Sequence, residues 1–151
     1  MRYCQASDIL VRFNSLLLSM KTAILFYWSA RIIAAIILFQ TLYFKFTGAD
    51  ESIYIFTTVG MEPWGRIGIG ALELIASILL LINATAWLGA GLALSLMLGA
   101  IGMHVIVLGI EVRGDNGYLF TLCVIVFVCS AFVLFKNRAK VVGLLSYLKL
   151  R

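Results

Sequence analysis

The sequence has little charge, one proline and one histidine. Only 13% of its 151 residues are charged, whereas 63% are apolar. Soluble domains contain about 25% charged and about 45 to 50% apolar residues, so this composition excludes a soluble domain. A single histidine also excludes a haem held by two histidines. The chain is therefore expected to be an integral membrane protein.

Cofactor motifs are missing as well. The sequence has no Cys-x-x-Cys motif, no histidine and carboxylate set with metal spacing and no glycine-rich phosphate loop. Cys123 and Cys129 lie about 240° apart around one predicted helix, so they cannot form a disulfide with each other. We expect no metal and no covalently bound cofactor. Any redox chemistry then needs electrons from a diffusible lipid-soluble carrier or from a partner protein.

Four apolar segments are long enough, or nearly so, to cross a membrane as helices. They are residues 24–46, 66–82, 86–110 and 118–135, and a helix needs about 20 residues to cross about 30 Å of hydrocarbon. The segments are apolar on every side and lack the alternation of barrel strands, so helices must satisfy their backbone hydrogen bonds. The sequence predicts an all-α, polytopic membrane protein with one bundle of four transmembrane helices.

The distribution of charge predicts the orientation of this bundle. Basic residues cluster before the first span and after the fourth, whereas acidic residues dominate the connections after spans one and three. Because short cytoplasmic segments collect Lys and Arg, we expect both termini to be cytoplasmic. The net charge of +5 arises from these ends and does not indicate a nucleic-acid partner.

Two amphipathic segments flank the membrane domain of residues 24–135. Apolar residues recur at near-helical spacing in residues 1–23, which predicts either a short helix on the inner leaflet or a non-essential extension if translation starts at Met20. Residues 136–151 form a basic amphipathic tail. We expect this tail to lie on anionic lipid at the cytoplasmic surface.

Residues 47–65 form the only long connection between spans. Asp50 and Glu51 are typical of a helix N-terminus, and Gly60 and Pro63 can end the helix that follows. We expect a short interfacial helix that covers the outer end of the bundle. The alternative is a packed loop.

Three ionisable residues, Lys45, Glu73 and His104, lie inside the spans or at their edge. Glu73 and His104 are each about 10 Å inside the outer boundary at about 1.5 Å per residue. Because helical side chains lean toward the N-terminus of their helix, Lys45 leans inward and Glu73 leans outward, and their charged groups converge. We expect these two to pair, since pairing keeps both charged in a medium that disfavours isolated charges.

Two interpretations of these residues remain open, because charges inside a membrane mark either working sites or structural ion pairs. As a candidate catalytic site, Lys45, Glu73 and His104 surround an outward-facing polar pocket and His104 carries protons. In the alternative, the pair fixes helix register and a neutral His104 bonds a backbone carbonyl. Arg31, in the inner half of the first span, is expected to reach lipid phosphates as a membrane anchor.

Small residues predict where helices approach closely. Gly91, Ser95 and Gly99 form a small-xxx-small stripe on the third span. Glycines also crowd the start of the second span, at Gly68 and Gly70 among others. We expect both faces to pack against neighbouring helices.

A series of motifs runs through the membrane domain. They are YFKFTG at residues 43–48, EPWGRIG at 62–68, LEL at 72–74, and LGAI at 98–101 ahead of a histidine. In content and order they resemble the DoxX-like family of small four-helix bacterial membrane proteins. The positions that match the family's charged pattern are Arg31, Lys45, Glu73 and His104.

The resemblance implies a multi-pass protein of the bacterial inner membrane. Its first named member is a subunit of a thiosulfate:quinone oxidoreductase, which implies an accessory or subunit of a quinone-linked membrane redox complex, at most an oxidoreductase subunit. The alternative is a non-enzymatic small transporter or a membrane assembly or scaffold protein. A quinone is the candidate cofactor. The candidate partners are the lipid bilayer, a redox partner protein and further copies of the chain.

Overall fold

The computed structural model describes residues 2–149, and their side chains except those of residues 2–11, 13–15, 144, 145 and 147–149. Every regular element in this part of the chain is a helix, which confirms the predicted all-α fold. In chain order the elements are α1 (Arg2–Thr47), α2 (Asp50–Thr58), α3 (Trp64–Leu81), α4 (Ala86–Met103), a π-helical segment (His104–Leu108), α5 (Tyr118–Lys136) and α6 (Arg138–Lys149).

Four helices are long and apolar enough to cross a membrane. Within the described residues, the spans are Leu16–Thr47, Trp64–Leu81, Ala86–Leu108 and Tyr118–Lys136. The last three agree with the predicted segments to within a few residues, and the first begins earlier than predicted. The protein is therefore a multi-pass membrane protein whose four spans form a helical bundle.

The four spans pack as a ring in which α1 contacts α3 and α5, and α4 contacts the same two helices. Most side chains in the interior of this ring are small or aliphatic. Its fully buried members include Ala34, Ala76, Ala90, Ala93, Leu80, Val126 and Val133. Because alanine has a short side chain, the helix backbones can approach closely and gain van der Waals contact.

The closest approach of α3 and α4 occurs at Gly89. A Cβ atom added there would lie 2.5 Å from the backbone nitrogen of Leu80, so a residue with a side chain does not fit. Close packing was predicted instead at the stripe of Gly91, Ser95 and Gly99. Within this chain no such packing occurs at either glycine, because no atom of another helix lies within 4 Å of a Cβ added there.

Helix α1 runs without interruption from Arg2 to Thr47. It is about 70 Å long at about 1.5 Å per residue, more than twice the hydrocarbon thickness of about 30 Å. The segment predicted to form a separate surface helix, residues 1–23, is helical in its described part but continuous with the first span. Its role as an amphipathic or a non-essential extension stays a prediction.

The predicted short helix between the first two spans is present as α2. It ends before Gly60, which has a φ of 75°, and it packs on α1, α3 and the π-helical segment. Phe56 points into the protein from α2 and is buried, while Arg113 donates to the carbonyl of Asp50 at 3.3 Å. Helix α2 therefore covers one end of the bundle, which we call the α2 end. The opposite end, where α3 turns into α4 and α5 into α6, is the α6 end.

The charge pattern predicts that the α6 end faces the cytoplasm. A reporter that is active only outside the cytoplasm should be silent when fused after Arg138 and active when inserted near Asp50. An active reporter at Arg138 together with a silent one at Asp50 would show the opposite orientation and contradict the prediction.

Candidate functional site

The centre of the candidate site is an ion pair between α1 and α3. Lys45 Nζ lies 2.8 Å from Glu73 Oε2, and the two side chains are 14% and 4% exposed. Thr41 Oγ1 lies 3.1 Å from the same Glu73 oxygen and 2.8 Å from the carbonyl of Leu38. Because a hydroxyl has one proton to donate, Thr41 can hydrogen-bond to either acceptor. The carboxylate is the more deeply buried member of the pair, and it has two polar neighbours.

Gly70 lets α1 and α3 approach each other at this level. A Cβ atom added at Gly70 would lie 3.3 Å from the ring of Phe46 and 3.5 Å from Lys45 Cβ. Gly70 stands three residues before Glu73, a spacing that places both on one helix face. The predicted close packing at the start of the second span is therefore present at Gly70, where it brings the two charges within reach, but is absent at Gly68.

Arg66 holds the pair's two helices together at the α2 end. Its Nε lies 2.9 Å from Glu62 Oε1 and its Nη2 lies 2.7 Å from the same oxygen. Its Nη1 donates to the carbonyl of Lys45, one of the last carbonyls of α1, which lack a partner along the helix. The sequence analysis did not select Arg66. The available signal was Glu62 four residues earlier, the spacing of a local ion pair.

His104 does not join the pair. It is buried at the start of the π-helical segment, where its Nδ1 lies 2.9 Å from the carbonyl oxygen of Gly109. A carbonyl oxygen only accepts, so Nδ1 carries the proton of this bond. Among the described residues, no hydrogen bond or ion pair connects His104 to Lys45 or Glu73.

The local geometry explains why His104 is separate. The π-helical turn after it widens the helix, and Gly109 follows with a φ of 82°, so the chain folds back and presents a carbonyl to the imidazole. The ring also packs edge-on against Phe120, with 5.6 Å between ring centroids. Of the two interpretations for this histidine, the structure contains the bond to a backbone carbonyl.

Asp115 organises the connection that follows. Its Oδ1 accepts from the backbone nitrogens of Val112 at 2.8 Å and Gly117 at 2.9 Å, and its Oδ2 accepts from Leu119 at 3.0 Å. Burial raises the pKa of this carboxyl, but the three backbone donors and the nearby His104 together hold the pKa below its ordinary value. The ionised form of Asp115 therefore stabilises the start of α5.

Asp115→Ala should destabilise the protein by about 1 kcal/mol near neutral pH, the usual effect of removing a helix cap. Because the folded-state pKa is lowered, this stabilisation is present above the ordinary value of 3.8 and is lost as the pH falls below it toward the folded-state pKa. Thermal unfolding of both purified proteins over this pH range measures the difference. Glu111→Ala, an exposed acid in the same connection, is the control. A difference that does not shrink with acidification would contradict the prediction.

Arg31 lies toward the α6 end and is fully buried. Its Nε donates to the carbonyl of Leu80 and its Nη1 to Asn83 Oδ1, both at 2.6 Å, and its guanidinium lies 4.0 Å from the ring centre of Trp28. From the sequence, this side chain was expected to reach lipid phosphates. The structure directs it instead to the end of α3, whose last carbonyls need donors. Arg31 thus connects α1 to the turn between α3 and α4.

Comparison with known families is informative for the membrane domain. The sequence model of the DoxX family matches residues 24–109, more than half of the chain. No curated protein and no solved structure matches the chain. The matched range contains Arg31, Lys45, Glu73 and His104. The chain therefore belongs to the DoxX family.

Proposed function

We propose that this DoxX-family protein is an accessory subunit of a quinone-linked redox complex in the bacterial inner membrane. The observation that supports this proposal is the Lys45–Glu73 ion pair between α1 and α3. Ionisable residues inside membrane spans are costly and are typical of ion, proton or substrate sites. A pair of which one member is partly exposed and the other is buried is suited to proton exchange with a bound ligand.

Lys45 has the hydrogen-bond donors that a quinone carbonyl requires. An ammonium group has three N–H donors. The ion pair with Glu73 uses one donor of Lys45 Nζ. The side chain is 14% exposed, so its remaining donors can reach a ligand at the bundle surface. Lys45 would therefore donate to the carbonyl of a quinone head group, which would supply the electron-transfer chemistry when bound.

Within this proposal the Glu73 carboxylate carries the proton, and Thr41 orients that carboxylate. Glu73 can accept a proton while Lys45 keeps its charge, and Thr41 can turn its hydroxyl between Glu73 and Leu38. Electrons come from the partner protein, because the chain itself has no motif for an electron-carrying cofactor. His104 holds the end of the third span through its bond to Gly109.

A different observation favours a second function. Arg66 pairs with the Glu62 carboxylate and donates to the end of α1, and Glu73 pairs with Lys45, so these four charges are paired within the chain. Such internal pairing is also what a structural ion pair shows. In that case the protein is a non-enzymatic assembly or scaffold protein, or a small transporter.

Quinone content separates the two functions. The full chain is purified in native lipid, and extracted quinones are identified by mass spectrometry for the wild type, Lys45→Gln and Lys21→Gln. Lys21 is an exposed lysine of the same helix, so it is the matched control. We expect a quinone with the wild type and the control, and a clear loss in Lys45→Gln. Equal quinone content in all three, or none in the wild type, would contradict the redox proposal.

A further inference from the structure

A polar groove lies at the α6 end, far from the Lys45–Glu73 pair. Its volume is about 340 Å³, and it opens between α1, the turn after α3 and the junction of α5 with α6. The polar side chains that line it are Tyr27, Asn83, Lys136, Asn137 and Lys140. We call it the α6 groove.

Hydrogen bonds inside the protein engage two acceptors of this groove, Asn83 Oδ1 and the Tyr27 hydroxyl oxygen. Asn83 Oδ1 accepts from Arg31, which leaves the Asn83 amide N–H donors for other partners. The hydroxyl oxygen of Tyr27 accepts from Asn137 Nδ2 at 2.8 Å, so the Tyr27 O–H can donate elsewhere. The second N–H of Asn137 donates to the carbonyl of Val133. The α6 groove therefore presents donors from Asn83 and Tyr27.

Positive charge surrounds these donors. Lys136 and Lys140 line the α6 groove, and no acidic residue does. Arg31 lies directly behind Asn83, and its Nη2 is buried with no hydrogen-bond partner. Among the side chains that the structure describes, no carboxylate forms an ion pair with any of these three cations. The α6 groove thus combines uncompensated positive charge with free donors, which is the chemistry that binds an oxyanion.

The position of the groove indicates which oxyanion occupies it. Lys136 ends the fourth span, so the groove lies at the level of the lipid headgroups. Ala23 and Ile24 of α1 form an apolar wall beside the polar residues. Basic pockets between transmembrane helices bind the headgroups of anionic lipids. We propose that the α6 groove binds a phosphate group, and that its occupant is the headgroup of an anionic phospholipid such as phosphatidylglycerol.

The first test removes one positive charge at matched positions. The full chain in detergent is titrated with phosphatidylglycerol, and bound lipid is counted by native mass spectrometry for Lys140→Gln and Arg138→Gln. Arg138 belongs to the same turn of α6 but does not line the groove. We expect Lys140→Gln to weaken binding about fivefold, as for one basic residue near anionic lipid, and Arg138→Gln to weaken it much less.

The second test removes a donor while keeping the fold. Asn83→Asp retains the oxygen that accepts from Arg31, but it loses the amide donors and adds a negative charge. Ala84→Asp adds the same charge to the neighbouring exposed position. We expect a larger loss of bound lipid in Asn83→Asp than in Ala84→Asp. The proposal would be overturned if Lys140→Gln and Arg138→Gln lost equal amounts of lipid and Asn83→Asp and Ala84→Asp did so too. Surface charge alone would then attract the lipid.

Three probes identify the source of the phosphate. Phosphatidylglycerol should raise the thermal stability of the wild type more than phosphatidylcholine does, and the rise should be smaller in Lys140→Gln. If inorganic phosphate gives the same rise with the same dependence on Lys140, the oxyanion site is supported and its occupant is a soluble phosphate. If no probe gives a rise that depends on Lys140 and Asn83, the proposal is contradicted.

Discussion

Gly89→Ala is expected to cost about 3 kcal/mol or more of folding stability, or to prevent accumulation of folded protein, because small-to-large changes at tightly packed sites force the backbone to move. The added Cβ would meet the Leu80 nitrogen at 2.5 Å and the Ala76 carbonyl oxygen at 2.9 Å. Both contacts are backbone atoms of α3, so no side-chain rotation can relieve them. The two helices would have to separate. Unfolding in detergent, followed by fluorescence or by loss of the monodisperse peak, measures the effect.

Gly91→Ala is the matched control on the same helix. No atom lies within 4 Å of a Cβ added there, and alanine favours a helix by about 1 kcal/mol over glycine. We expect Gly91→Ala to be neutral or stabilising. Similar destabilisation by both variants would show that α4 does not tolerate any change at its glycines and would contradict the close contact at Gly89.

Lys45→Met is the second change with a large expected effect. It leaves the Glu73 carboxylate, 4% exposed, without its cation, and breaking a buried pair from one side costs about 3 to 5 kcal/mol. Adding Glu73→Gln removes the unpaired charge, so the double variant should be more stable than Lys45→Met alone. A double-mutant cycle on unfolding free energies measures the coupling, which averages below about 1 kcal/mol in membrane proteins and is larger for charges.

Lys21→Met is the control for that cycle, because Lys21 is exposed on the same helix. It should be nearly neutral and should show no coupling with Glu73→Gln. Strictly additive effects of Lys45→Met and Glu73→Gln would mean that the two residues do not interact in the folded protein.

Most of the fold could be predicted from the sequence, because lipid leaves few alternatives for long apolar segments. The spans follow from length and hydropathy, and α2 follows from Asp50 at its start and Gly60 after its end. The length of α1 could not be predicted, since amphipathic spacing before a span fits both a surface helix and a continuation of the span. The contact of Gly89 with the backbone of α3 was also not predicted. Gly89 and Gly91 are about 200° apart on the helix, and their spacing does not say which one points inward.

The candidate site was predictable only where it depends on regular helices. The contact of Lys45 with Glu73 follows from depth and from the lean of side chains along α-helices. The position of His104 was not predicted correctly. The π-helical segment that begins there does not have the rise and rotation per residue of an α-helix, on which the estimate of depth was based. Arg31 was assigned to lipid because the sequence does not show that the end of α3, at Leu80, needs its donors.

The measurement that tests the proposed function most directly is complementation of a deletion strain by Glu73→Gln, normalised to folded protein in the membrane. Glutamine keeps the shape of the side chain and most of its hydrogen bonds but cannot exchange the proton. Glu111→Gln, an exposed acid of the α2 end, is the control and should complement normally. If Glu73 handles a proton for a bound quinone, Glu73→Gln should abolish complementation, a loss much larger than any fall in folded protein that follows from leaving Lys45 unpaired. Complementation that falls only in proportion to folded protein would contradict this account and make Lys45–Glu73 a structural pair.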